Sequence, residues 1–194
     1  MRGEGLNPFI LADSEKCCGC RTCEIACAVA HLEAKPRTAG ATESPLIPRL
    51  YVMRTAEVTV PVQCRHCEDA PCAIVCQMSA ISRVDGKILV LSERCVGCKL
   101  CLMACPFGAI ELVPQNQGTQ PIYPGLWEDQ EDWAGRQLYR AHKCDLCAGH
   151  EKGPACVPAC PQQALELVNP ELESKKRNAD AAISLLECAK GVGP

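Results

Sequence analysis

The sequence predicts a loop-rich α+β fold, and three observations predict it. Cysteine supplies 18 of 194 residues while aromatic residues make up only 4%, so large core-forming side chains are scarce. Sixteen of the cysteines fall into four quartets, each ending in C-x3-C. Short apolar or β-branched stretches bracket the quartets, with turn residues between them.

FILAD, at residues 9–13, reads as a strand leading into the first quartet, Cys17, Cys20, Cys23 and Cys27, spaced C-x2-C-x2-C-x3-C. The segment CEIACAVAHLEA is able to continue as helix past Cys27. Residues 36–62 begin as a Pro/Gly/Ser loop and end in alternating β-branched residues, which predict two extended segments. The second quartet, Cys64, Cys67, Cys72 and Cys76, has the spacing C-x2-C-x4-C-x3-C. AISRVDGKILVLS then reads as a hairpin that turns at Asp85-Gly86. Cys95, Cys98, Cys101 and Cys105 repeat the first spacing, and GAIELV follows as a strand. Residues 114–140 form an insertion long enough to be functional or disordered. It holds both tryptophans, Trp127 and Trp133, which we read as packing it onto the body rather than anchoring a partner. The fourth quartet, Cys144, Cys147, Cys156 and Cys160, has the spacing C-x2-C-x8-C-x3-C, and the strand QALELV follows it. From Pro170 onward the tail reads as a helix, polar apart from Leu185 and Leu186.

A formal charge of −3 gives no basic surface for nucleic acid. No run of 18 apolar residues predicts a membrane-spanning helix, and MRGEGLNPFILADSEK lacks the pattern of a cleaved leader. A cytoplasmic location is therefore expected, where thiols stay reduced and clustered cysteines hold metal rather than form disulfides.

The spacing says which metal. Three thiolates in a tight x2-x2 loop converge on three corners of one iron–sulfur cube. The x3 step is a turn of helix that sends the fourth toward a second cube. Quartets should therefore work in pairs. Zinc is the rival, but three sulfurs at x2-x2 spacing crowd a tetrahedral ion. Cys105-Pro106 and Cys160-Pro161 carry the C-P ending of the ferredoxin run, where proline stops the helix. Cys27-Ala28 and Cys76-Gln77 lack it, so those two segments are candidates for longer helices.

CCGCRTCEIAC aligned on CVGCKLCLMAC sets Cys17 on Cys95 and Cys18 on Val96. Cys18 is then a spare, expected in a small apolar slot. We read His66, between Cys64 and Cys67, as solvent-facing, with a hydrogen bond to a cluster sulfur as the alternative. Lys16, Arg94 and Lys143 each precede a first cysteine, where they either offset cluster charge or are solvated surface charges. For His31 and His142 the sequence names no partner. Independent catalysis finds no support, because there is no Gly-rich nucleotide loop and no C-x3-C-x2-C radical site: Cys23 and Cys27 are followed by Ala30, Cys72 and Cys76 by Ser79.

FILADSEKCCGCRTCEIACAVAH, CRHCEDAPCAIVCQMSAISRVDG, RCVGCKLCLMACPFGAIE and KCDLCAGHEKGPACVPACPQQAL together resemble the four-cluster iron–sulfur electron-transfer subunits of molybdopterin (Mo/W) oxidoreductases. The nearest branch is that of the small iron–sulfur subunits of formate hydrogenlyase and formate dehydrogenase. Gln77 departs from the proline of many relatives, and the 114–140 insertion is variable in the family. The resemblance implies two ferredoxin-like 2[4Fe–4S] domains. Residues 1–35 plus 141–169 would form an outer, discontinuous one with the first and fourth quartets, and 60–113 an inner one with the second and third. A connector (36–59), the insertion (114–140) and a helical tail (170–194) complete the chain. It also implies four [4Fe–4S] clusters. One takes Cys17, Cys20, Cys23 and Cys160, and a second takes Cys27, Cys144, Cys147 and Cys156. A third takes Cys64, Cys67, Cys72 and Cys105, and the last Cys76, Cys95, Cys98 and Cys101. The implied function is non-catalytic. Single electrons pass along the clusters between a large molybdopterin subunit, such as formate dehydrogenase, and a second redox subunit: a hydrogenase, a flavoprotein or a further iron–sulfur subunit. The setting would be anaerobic metabolism in a hetero-oligomer. The alternatives are the equivalent subunit of a tungsten aldehyde oxidoreductase or a carbon monoxide dehydrogenase, and a free polyferredoxin or maturation factor.

Overall fold

The computed structural model describes residues 6–32, 38, 45–114 and 138–191. Along the chain run β1 (Phe9–Ala12), α1 (Thr22–Ala30), β2 (Tyr51–Arg54), β3 (Thr59–Val62) and α2 (Pro71–Ile74). Then follow β4 (Ile81–Val84), β5 (Lys87–Val90), α3 (Leu100–Ala104), β6 (Glu111–Pro114), β7 (Tyr139–His142), α4 (Cys156–Ala159), β8 (Leu165–Val168) and α5 (Pro170–Gly191). The fold is mixed, with short helices and small antiparallel sheets.

The strands pair as four two-stranded ribbons, β1–β8, β2–β3, β4–β5 and β6–β7. In β4–β5 the turn residues Asp85 and Gly86 both have positive φ (49° and 70°), as a two-residue I′ turn requires. The β1–β8 ribbon sets Phe9 opposite Val168 and Ala12 opposite Leu165. It ties the start of the described chain to the strand beyond the fourth quartet. In the same sense α1 packs on α4, and α2 packs on α3.

Two apolar cores result. The larger gathers Ile10, Leu50, Val52, Leu146 and Leu165 with Cys23, Cys27, Cys64, Cys144 and Cys156. The other joins Ile81, Ile88, Ile110 and Ala141 to Cys72 and Cys101. Ile10, Leu50 and Ile88 are fully buried, each contributing about 1.5–3 kcal/mol. No Phe, Tyr or Trp side chain is buried among the described residues, and cysteines fill much of both cores instead.

The strands before the first quartet and after the fourth, the β2–β3 segments and the hairpin match the sequence reading. α1 continues three residues past Cys27, but α2 stops at Ile74, so the second segment without proline does not extend. The chain turns there as it does at the C-P endings, because Ser79 takes a positive φ of 48°. β7 was not foreseen, since LYRAH lies at the edge of the insertion; Trp127, Trp133 and most of that insertion fall outside the described residues. α5 is polar, with Leu172, Ile183, Leu185 and Leu186 all exposed. Among the described residues, no helix is long and apolar enough to cross a membrane.

Candidate metal centres

The four cysteine loops share one backbone path. Two residues after each first cysteine the chain enters the left-handed region, at Gly19 (φ 74°), His66 (48°), Gly97 (70°) and Leu146 (55°). That bend aims amides at the sulfur behind it: His66 N–H donates to Cys64 Sγ and Leu146 N–H to Cys144 Sγ, both at 3.4 Å. A second shared bend follows the last cysteine of three quartets, at Ser79, Gly108 and Gln163. There the amides of Ala80, Ala109 and Ala164 donate to Cys76, Cys105 and Cys160 Sγ at 3.2, 3.4 and 3.3 Å. Cys27 sits inside α1 and lacks this bend; Arg49 N–H, from a distant segment, donates to it instead at 3.3 Å.

Three cavities collect the sulfurs. The first, about 330 Å³ of empty space, is lined by Cys17, Cys20, Cys23 and Cys160, with Cys18 at its wall. Another, about 360 Å³, is lined by Cys76, Cys95, Cys98 and Cys101. The last, about 320 Å³, is lined by Cys64, Cys67, Cys72 and Cys105. Cys27, Cys144, Cys147 and Cys156 are all buried. Burial pushes the Cys156 thiol up, and the nearby Cys144, Cys27, Cys147 and Cys23 push it further; Cys27, Cys144 and Cys156 share the larger core. Each set draws sulfurs from two separate stretches of chain.

These donor sets fit a [4Fe–4S] cluster: four sulfurs each, amides aimed at the sulfurs, and no carboxylate in the walls of the three cavities. Burial holds Cys23 and Cys72 up at about 11 and Cys144 at about 12. Coordination removes those protons outright, so metal binding and folding are coupled. Exposure separates the sets: Cys20 and Cys98 are exposed, whereas the set around Cys144 has no exposed member.

Polar groups brace the buried set. His31 Nε2–H donates to Asp145 Oδ1 at 3.0 Å and Nδ1–H donates to the Cys27 carbonyl at 2.7 Å. Both partners can only accept, so the ring keeps both protons; burial opposes that charge, but the two bonds raise His31 to about 9. Asp145 also binds Arg49 Nη1 at 2.6 Å and the Cys147 amide at 2.9 Å. Burial alone would lift its carboxyl, and His31 and Arg49 hold it down at about 2. His31, Asp145 and Cys147 bring ligand-type atoms together, but the first two are engaged with each other and with Arg49, as a clamp on the sulfur site.

Two expectations need correction, and one is resolved. His66 is fully buried rather than solvent-facing. Its Nδ1 accepts the Ile88 N–H at 3.0 Å, and burial, aided by the charge of Lys143, pushes it down to about 3. Cys18 is exposed at the wall of the first cavity, not sunk in an apolar slot. Of the three cations that precede a first cysteine, Lys16 and Arg94 are exposed and Lys143 is buried. The clamp itself went unseen: the sequence holds no signal linking His31 to Asp145.

Fold and sulfur sites together define an iron–sulfur protein of the [4Fe–4S] ferredoxin class. Residues 55–120 match the family described as "4Fe-4S dicluster domain". Electron transport protein HydN of Escherichia coli K12 is 43% identical over 180 residues, 91% of this chain and 98% of that protein. The putative electron transport protein YsaA of the same strain is 45% identical over 172 residues, 89% of this chain and 96% of that one. Formate hydrogenlyase subunit 2 of Escherichia coli K12 is 44% identical over 176 residues, covering 84% and 83%. The chain belongs to this family of [4Fe–4S] electron-transport proteins.

Proposed function

We propose that the chain is a non-catalytic relay with four [4Fe–4S] sites, held by the four cysteine sets implied by the resemblance. It would pass single electrons between a molybdopterin (Mo/W) subunit, of the formate dehydrogenase kind, and a second redox subunit such as a hydrogenase. The observation that supports this most is the grouping of all sixteen quartet cysteines into four sulfur sets, two of which have an exposed member, Cys20 and Cys98. When bound, a [4Fe–4S] group takes up and releases one electron with little rearrangement. The residues do the rest: loops fix the sulfurs, amides donate to them, and two packed cores exclude water. On this reading the first and fourth quartets form one unit, closed by the β1–β8 ribbon, and the second and third form another.

Anaerobic purification of the tagged chain from its native cell tests the proposal. About sixteen iron atoms per chain are expected, with a molybdenum- or tungsten-containing large subunit co-purifying. A lone chain with four clusters would favour the free-carrier alternative. A chain with one cluster or none would sink both.

A further inference from the structure

Lys143 stands between two of the sulfur sets. It precedes Cys144, and its side chain is buried, with 3% of the residue exposed. Nζ donates to the Cys144 carbonyl at 3.0 Å, to Cys64 Sγ at 3.4 Å and to the Ile88 carbonyl. An ammonium has three N–H donors, and here each has an acceptor. Cys144 and Cys64 belong to different sets. No carboxylate among the described residues forms an ion pair with Nζ.

A buried cation without an anionic partner is costly. The ring of His66, tied to Ile88 N–H on the same strand, offers no negative charge. The remaining anions are sulfurs. Reduction adds negative charge to a cluster, and potential depends on nearby charge and on hydrogen bonds to sulfur. A fixed cation beside two sites therefore favours the reduced state of both.

We propose that Lys143 is a positioning and tuning residue: a single cation shared by the Cys64 and Cys144 cluster sites that raises the reduction potential of both. This rests on the ligand sets proposed above.

The test uses the full chain loaded anaerobically, with iron content and circular dichroism as controls and midpoint potentials read by EPR-monitored redox titration. In Lys143→Gln, two of the four midpoints fall by a tenfold shift in the one-electron equilibrium or more, about 59 mV. The other two hold, and Lys143→Arg restores the pair. Four unchanged midpoints in a fully loaded Lys143→Gln overturn the proposal, as does an equal fall in all four. If that variant loads fewer clusters, the unsubstituted chain decides. With ¹⁵Nζ-labelled lysine, pulsed EPR shows a nitrogen coupling to a reduced cluster that Lys143→Arg lacks; no such coupling overturns the proposal. Iron analysis of the unsubstituted chain tests the ligand sets separately, since a shortfall there sinks that reading whatever the lysine does.

Discussion

The loops that begin at Cys17 and Cys95 bend on glycine, Gly19 and Gly97, whereas those that begin at Cys64 and Cys144 bend on His66 and Leu146. The bend is the same; the surroundings are not. Around the glycine loops Lys16, Cys20, Arg94 and Cys98 are exposed. The other two loops lie inside, with Gln63, His66, Lys143 and Leu146 all buried. A left-handed residue with a side chain costs about 1–2 kcal/mol. Burying Leu146 returns about 1.5–3 kcal/mol, and the bond from Ile88 N–H to His66 returns about 1 kcal/mol. Glycine makes the bend where a neighbour lies too close for a Cβ, Tyr139 at Gly97 and Thr59 at Gly19, and a packed side chain makes it where there is room for one.

The largest effect should come from removing what both kinds of loop surround. Chelation of iron from the reduced chain should abolish near-UV dichroism across both cores, since cysteines stand in each; an apo-chain with a native-like signal would contradict this. Next is single-ligand loss. Cys156→Ala should lower iron content by more than one cluster, because its set lies in the larger core, while Cys98→Ala at the exposed rim should cost one cluster at most. Equal losses would erase the distinction between interior and rim. Third, Leu146→Gly should destabilise by about 3 kcal/mol, a core deletion less the relief of the bend, measured as the guanidinium midpoint for loss of cluster absorbance. Gly97→Ala comes fourth. Its Cβ would lie 2.4 Å from the Tyr139 carbonyl oxygen, so about 2 kcal/mol is expected, against about 1 kcal/mol for Gly19→Ala, where the Thr59 methyl 2.9 Å away can turn aside. The smallest effect is that of Cys18→Val, which should leave the iron content unchanged; loss of a cluster would show that the alignment of Cys18 on Val96 is wrong.

Much of this was legible because cysteine spacing is local. The quartets, the strand at FILAD, the Asp85-Gly86 turn and the C-terminal helix each follow from a few adjacent residues. What was not legible depends on distance. Lys16, Arg94 and Lys143 occupy the same place in the motif, and only the packing of β5 and the Cys64 loop over Lys143 buries it. His66 and Leu146 look unlike glycine in sequence, and their shared bend emerges only from the backbone. β7 could not be read because its partner β6 lies across the insertion.

The β1–β8 ribbon sets an order of events during synthesis. Phe9–Ala12 leaves the ribosome early, and Leu165–Val168 emerges about 150 residues later, roughly ten seconds at ordinary elongation rates. Both strands of the β4–β5 hairpin and the α2–α3 contact are complete well before that. On the ligand sets proposed above, the middle of the molecule can therefore mature while Cys17 to Cys27 still wait, as open thiols, for the last quartet to arrive. Any oxidant met in that interval would damage the first-made cysteines before the last-made ones could shelter them.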